Sequence, residues 1–418
     1  MQGRVSADDV ASGRASEGYI CNAELVSHFG ESGGYKVERY VDSAGRECAY
    51  FDSTLLFPTN AAAPGQYPTG TIVLDMSNPS NPVRTTTLLT PAMQTPHESM
   101  VLNPARGLLA AVMGNPVANP GVIDVYDATR DCGNPELRSI SPTGLVGHES
   151  GFAPDGRTFY AASISSGNLT AVDVSNPSLP VTLWTGTYNS HGLSISNDGN
   201  RAYVAARSGL IILDVSQVNH RVLNPQVRVV SRLRWDNITI PQNAIPVTIK
   251  GHAYLVEIDE FATDAQGNIT ANGGVVGAAR IIDIADETKP HVVSNMRLDV
   301  HEPENRAALA GDPGAGNFVG GYAGHYCNVP QREDPGIVAC SFILSGLRVF
   351  DIRDPFHPKE IAYFNTPKKP TIPGDPPSSY AMSSPSFVPE RGEIWYSDGN
   401  SGFYDVRLTN GVWVPHGH

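Results

Sequence analysis

The sequence predicts an all-β chain folded as a seven-bladed β-propeller of four-stranded antiparallel blades, and three observations lead there. First, a phrase made of an apolar pair, Asp and usually a further apolar residue recurs seven times. It reads IVLDM around Asp75, GVIDV around Asp124, TAVDV around Asp173, IILDV around Asp214, RIIDI around Asp283, RVFDI around Asp351 and GFYDV around Asp405. Second, the intervals of 49, 49, 41, 69, 68 and 54 residues give a unit of about 40–50 residues with two long insertions, the period of a four-stranded blade. Third, 41 Gly, 33 Pro and only 17% charged residues suit many short strands joined by turns better than long solvated helices.

Each strand of the unit has its own signal. GFAPDGRTFYAAS at 151–163 and LSISNDGNRAYVAA at 193–206 place a tight Asp-Gly turn between alternating apolar runs, a hairpin of the first and second strands. The Asp phrase is the third strand. It stops in DMSNPSNPV, DVSNPSLPV, DIADETKPHV and DIRDPFHPKE, because Pro has no N–H to donate and restricts the residue before it. An outer strand such as VRTTTLLT or KEIAYFN follows. The seven Asp residues are expected to brace this turn by accepting backbone hydrogen bonds.

The phrases VLDMSNPSNP, TAVDVSNPSLP and IILDVS resemble the LVIVD-repeat family, whose blades carry a similar apolar-Asp-apolar-Ser-x-Pro pattern. The resemblance extends over about residues 47–408 and implies a propeller. It implies no activity, since a propeller hosts many. The expected organisation is an N-terminal extension at 1–46 packing on the propeller, a single propeller domain at 47–408 and a C-terminal tail at 409–418.

Net charge −13, with Lys368-Lys369 the densest cationic pair, argues against a nucleic-acid partner, which needs concentrated cations. No apolar run is long enough to span a membrane. Homo-oligomerisation is left open. The five cysteines, at 21, 48, 132, 327 and 340, have no Cys-x-x-Cys spacing. Cys21 with Cys48 and Cys327 with Cys340 are candidate disulfides, leaving Cys132 alone. The start, MQGRVSADDVASGRASEG, has no apolar leader core. Cysteine placement and an acidic, lysine-poor composition nonetheless lead us to expect an exported chain, extracellular or periplasmic, with its leader removed.

The histidines carry the functional signal. His97, His148, His191 and His325 precede the Asp of their units by 27, 25, 23 and 26 residues, so they share one position, the entry to a blade's first strand. That strand is innermost, and its first residue lies near the axis at one rim. Gln242 takes this position in the fifth unit and Ser383 in the seventh. The first unit is ambiguous around Glu47 and Cys48. Inheritance of a repeated His accounts for the recurrence without chemistry. Four imidazoles converging on one axis, however, are a ligand set for a transition metal, iron or copper ahead of zinc. Glu98 and Glu149 are candidates to orient the ligands, although strand alternation aims a Glu away from its own His.

His301 and Glu302, in the insertion before His325, are candidates for an extra ligand or a lid. Phe152, Tyr322, Tyr326, Tyr380 and Ser383 are candidates to line a substrate pocket, with access beside the insertions 259–278 and 301–324. His252, on a second strand, and His28, His220, His291, His357, His416 and His418, in turns and tails, are expected to be solvated.

The axial pattern is similar in architecture to the carotenoid-cleavage oxygenases, seven-bladed propellers that hold iron with four histidines backed by glutamates, and equally to copper-dependent propeller oxidases. The resulting expectation is a metal-dependent oxidoreductase, with oxygenase chemistry included, acting on a small or apolar organic substrate. The metal would serve as redox centre and Lewis acid. The competing expectation is a non-catalytic secreted propeller that binds a protein or glycan. A calcium-dependent hydrolase is disfavoured because calcium prefers oxygen ligands to imidazole.

Overall fold

The computed structural model describes residues 3–53, 70–113, 121–142, 147–264, 275–306, 321–366, 379–399 and 401–414. Seven antiparallel sheets are arranged as the blades of a propeller. Blade 1 is Val37–Val41, Glu47–Asp52, Thr71–Asp75 and Val83–Leu88; blade 2 is Val101–Asn103, Leu108–Val112, Val122–Asp127 and Glu136–Pro142. Blade 3 is Glu149–Phe152, Thr158–Ala162, Asn168–Asp173 and Val181–Thr187; blade 4 is Ser190–Ile195, Arg201–Ala206, Gly209–Asp214 and Arg228–Leu233. Blade 5 is Ile240–Ile249, His252–Glu260, Ala279–Asp283 and His291–Met296; blade 6 is Gly324–Asn328, Ile337–Phe342, Gly346–Asp351 and Lys359–Asn365.

Blade 7 has three strands from the C-terminal end, Ser386–Val388, Glu393–Asp398 and Gly402–Leu408, and takes its outermost strand, Ala23–Phe29, from the N-terminal end of the chain. Tyr19–Cys21 adds a fifth strand to blade 6. The expected boundary at residue 47 therefore moves: residues 19–41 supply three strands of the ring rather than an extension laid on it. Pairing one end of the chain with the other closes the circle and covers edges that would otherwise present unpaired backbone groups.

The core lies between blades. Tyr160 and Leu169 of blade 3 pack in one cluster with Leu193, Val204, Ile211 and Leu213 of blade 4. Phe51, Leu74, Trp395 and Phe403 join blade 1 to blade 7 in another. The Asp-Gly hairpins have the backbone that their glycines permit, with Gly156 at φ +65° and Gly199 at φ +75°. A disulfide joins Cys327 to Cys340 as expected, whereas Cys48 pairs with Cys132 and leaves Cys21 free and exposed. Cys21 lies on the outer edge of blade 6, far from the second strand of blade 1, and this corrects the Cys21–Cys48 pairing. Among the described residues no helix is long and apolar enough to cross a membrane.

Five of the seven phrase aspartates brace their turns. Asp75, Asp173, Asp214, Asp283 and Asp351 each accept a hydrogen bond from the backbone N–H two residues on, at 2.8–3.0 Å. The other two are corrections. In blade 2 the brace is Asp127, which accepts from Thr129 N at 2.9 Å, while Asp124 accepts from Ala92 N at 2.7 Å. Asp405 sits mid-strand, opposite Trp395, and is buried.

Burial, reinforced by the Glu393 charge and opposed by Arg391, pushes the Asp405 carboxyl up to about 8. The folded state therefore holds a proton that the unfolded chain releases from about pH 4 upwards. This contribution to stability is fully present below the ordinary carboxylate range and is lost as pH rises towards 8. In Asp405→Asn, unfolding midpoints measured from pH 4 to pH 8 should fall less steeply than in the wild type; an unchanged slope would show that Asp405 does not carry the proton.

Candidate metal centre

The ring of axial residues forms because each inner strand begins at the same rim. His97 and His148 lie just before the inner strands of blades 2 and 3, while His191, Gln242 and His325 lie within those of blades 4, 5 and 6. In blade 1 the position belongs to Tyr35, whose ring stacks on His97 at 4.3 Å and lies 5.4 Å from His325. The His97 and His148 rings are 4.3 Å apart, and those of His148 and His191 are 4.9 Å apart. All four histidines are buried.

Two of the imidazoles are oriented by the next blade. His191 Nδ1 lies 2.8 Å from the Pro241 carbonyl oxygen, and His325 Nδ1 lies 2.7 Å from that of Met382. A carbonyl only accepts, so each Nδ1 carries the hydrogen and each Nε2 is turned to the axis. Backbone carbonyls thus orient these imidazoles, a role the sequence reading gave to glutamates. Close approach of neighbouring blades requires small residues here. A methyl group on Gly192 would lie 1.9 Å from the Gln242 carbonyl oxygen, and one on Gly147 would lie 1.8 Å from Val112 Cγ2.

Glu98 occupies the middle of the ring. His97 has a left-handed backbone, φ +51°, which breaks strand alternation and turns the following side chain onto the axis. Glu98 Oε2 is 3.0 Å from His148 Nε2, 3.4 Å from His191 Nε2 and 3.9 Å from His97 Nδ1, and Oε1 is 3.3 Å from His325 Nε2. A second carboxylate joins it. Glu260 Oε2 is 3.0 Å from His325 Nε2, and Oε1 is 3.6 Å from His191 Nε2.

Burial alone would raise the Glu98 carboxyl, but the charge of the neighbouring His148 and hydrogen bonds from His148 and His191 hold it well below the usual range. Burial would lower His325, yet hydrogen bonds and charge from Glu260 and Glu98 push it up to about 9; the same two carboxylates raise His191. His97 is driven well down by burial and by the neighbouring His148, so it is neutral. Among the described residues both ring nitrogens of His97 and both amide atoms of Gln242 are buried without a hydrogen-bond partner. Polar atoms are not left in this state without cost.

The donor spacing suits an ion. Two ligands bound at about 2.1 Å and about 90–110° apart stand about 3.0–3.4 Å from each other, the range of four of these six contacts. Two donor sets are close enough to hold a cation, His97 with Glu98 and His148, and Glu98 with Glu260 and His325.

The remaining sequence candidates lie elsewhere or act differently. Glu149 turns to Lys36, 3.1 Å away, and accepts from Leu193 N at 2.9 Å; burial pushes its carboxyl up to about 7 against the Lys36 charge. His301 uses both ring nitrogens, accepting from Leu298 N at 3.0 Å and donating to Tyr322 O at 2.7 Å, so it is a structural residue and not an extra ligand. Glu302 approaches Arg297 at 3.8 Å, away from the ring. The Ser383 hydroxyl accepts from Ser397 N, the Tyr322 hydroxyl bonds the Val5 backbone, and Tyr380 packs in the blade 5 and 6 core. None of these three lines the cavity described below. Tyr326, beside His325, lies under the Lys36 ammonium at 4.2 Å.

That cavity is an axial funnel of about 460 Å³ lined by Lys36, Glu149, Phe152, Asn243, Asn328 and Arg332, among others. Lys36, Glu149 and Asn243 of its lining each follow an axial residue, Tyr35, His148 and Gln242, by one position. Access was expected beside the insertions, of which residues 265–274 and 307–320 lie outside the described residues.

Tyr35 and Glu260 were missed from the sequence, although both left a signal. Tyr35 stands twelve positions before the second strand at Glu47, as His325 does before Ile337. Glu260 closes an unusual acidic run, Glu257, Asp259 and Glu260, inside an otherwise apolar strand.

Comparison with known proteins agrees with the fold. Residues 69–90, 162–188 and 191–227 match the LVIVD repeat, so the chain carries LVIVD repeats. No curated protein matches it. The Cps50 (Swd1) β-propeller domain of Myceliophteria thermophila is 10% identical with TM-score 0.56, covering 92% of this chain and 98% of its own. The WD40 domain of Toxoplasma gondii coronin is 8% identical with TM-score 0.54, covering 93% and 87%. A functionally unknown protein from Desulfotomaculum acetoxidans is 12% identical with TM-score 0.52, covering 82% and 88%. At these identities the likeness concerns the propeller alone.

Gly192→Ala should lower stability by at least about 2 kcal/mol, because the new methyl meets backbone of the next blade. Gly151→Ala, whose methyl would find its nearest neighbour at 3.5 Å, should stay within about 1 kcal/mol. Denaturant midpoints of the two variants check this, and equal midpoints would contradict the blade spacing at the ring.

Proposed function

Given a propeller built of LVIVD repeats with six His and Glu side chains on its axis, we propose that this protein is a metal-dependent oxidoreductase. The observation that carries the reading is the convergence of His148, His191 and His325 Nε2 on the Glu98 carboxylate at 3.0–3.4 Å. For His191 and His325 the outer ring nitrogen is already committed to a backbone carbonyl, so Nε2 is the nitrogen each would offer to a cation on the axis in place of a proton. Mixed imidazole and carboxylate donors favour iron over copper and zinc, because carboxylate-containing histidine sites are the usual home of non-haem iron.

His148, His191 and His325 with Glu98 and Glu260 would hold the metal, and His97 completes the ring. Bound there, the metal would supply one-electron chemistry and polarise a substrate oxygen. The chain's own contribution is to keep the site dry, fix each imidazole through the next blade and admit a small organic molecule. The funnel volume falls in the range of small-molecule sites. Its lining of Lys36, Asn243, Asn328 and Arg332 beside Phe152 favours a substrate with polar groups over a wholly apolar one. Two disulfides favour an oxidising, extracellular or periplasmic setting.

Protein purified without a tag should contain iron, or copper in its place, at one equivalent or more by elemental analysis. Glu98→Gln, which removes the carboxylate shared by both donor sets, should lose it while keeping the wild-type circular dichroism spectrum. A wild-type protein free of transition metal after incubation with Fe(II) and Cu(II) would overturn the proposal.

A further inference from the structure

The ring donors do not form one uniform shell. They fall into two close sets, His97 with Glu98 and His148, and Glu98 with Glu260 and His325, and Glu98 alone belongs to both. Its two oxygens face different partners. Oε2 meets His148 at 3.0 Å and His97 at 3.9 Å; Oε1 meets His325 at 3.3 Å. His191 Nε2 stands between the sets, 3.4 Å from Glu98 and 3.6 Å from Glu260.

We propose that the axial site is dinuclear, with Glu98 bridging one transition-metal ion held by His97 and His148 and a second held by His325 and Glu260. This rests on the metal-centre reading above and assigns its nuclearity. Six donors are more than the three protein ligands with which many single catalytic metals are held. Metals paired at about 3.5–4 Å act together on one substrate oxygen, a separation that a bridging carboxylate spans. His97 independently supports the ion on its own side: it is 94% buried, and neither ring nitrogen has a partner among the described residues.

Charge adds the ligand class. Two divalent ions against the Glu98 and Glu260 carboxylates leave two positive charges in a buried site, which calls for an anionic oxygen ligand, hydroxide or a substrate oxyanion. Gln242, fully buried at the axial position of blade 5 with both amide atoms unpartnered, is placed to donate to such an oxygen.

The test uses the full chain, stripped with chelator and loaded anaerobically with Mn(II) alone and, in parallel, Fe(II) alone. After gel filtration each metal should be retained at two per chain. The Mn(II) form should give the electron paramagnetic resonance spectrum of an exchange-coupled pair. Glu260→Gln, which keeps the side-chain shape, should retain one ion and show the uncoupled six-line signal. Retention of one uncoupled ion by the wild-type chain would overturn the dinuclear assignment and leave the metal centre standing. Retention of neither metal would overturn the dinuclear assignment, and failure of a parallel Cu(II) loading as well would overturn the metal centre.

Discussion

A carboxylate sealed among imidazole nitrogens needs positive charge beside it, and Glu98 imposes this need on the centre of the propeller. It is buried, its carboxyl is held in the ionised range, and both its oxygens are within 3.0–3.4 Å of histidine nitrogens. Protons on the imidazoles would supply part of that charge, as the raised His325 and His191 indicate. They would not satisfy His97, which is neutral and has two unpartnered nitrogens. In the function proposed above, a metal ion would meet both requirements with the donors already in place.

The fold is arranged to keep those donors still. Each inner strand delivers one residue to the axis. His191 and His325 are then fixed by a carbonyl from the next blade, so the geometry of the ring depends on the spacing between blades. Gly192 and Gly147 allow that spacing. Closure of the ring by Ala23–Phe29 on blade 7 holds the blades in register around it. The left-handed backbone at His97 is the local departure from regular geometry, and it is what turns Glu98 inward.

The repeat was readable because turn chemistry is local. Asp-Gly hairpins and Asp-x-Ser-x-Pro turns mark strand ends wherever they occur, and blades 3 and 4 lie where the phrases placed them. Asp124 misled because it lies three positions before Asp127, the residue that braces blade 2. The axial histidines were legible as a shared offset from a repeated landmark. Tyr35 was not, since blade 1 carries no His at that position and its first strand looked like part of an extension. Glu260 was hidden for a different reason: it reaches the axis from a second strand, paired near Gln242 across blade 5, and only the three-dimensional register brings it there. His301 looked like a ligand by residue type alone, and its environment made it a structural brace.

The most direct measurement is anomalous diffraction from crystals of the protein as purified, with data collected on either side of the iron and copper absorption edges. The account predicts anomalous density on the propeller axis, within bonding distance of the Glu98 carboxylate and of His148, His191 and His325. An axis without anomalous density, with the histidines hydrogen-bonded to Glu98 and Glu260 as protonated imidazoles, would contradict it.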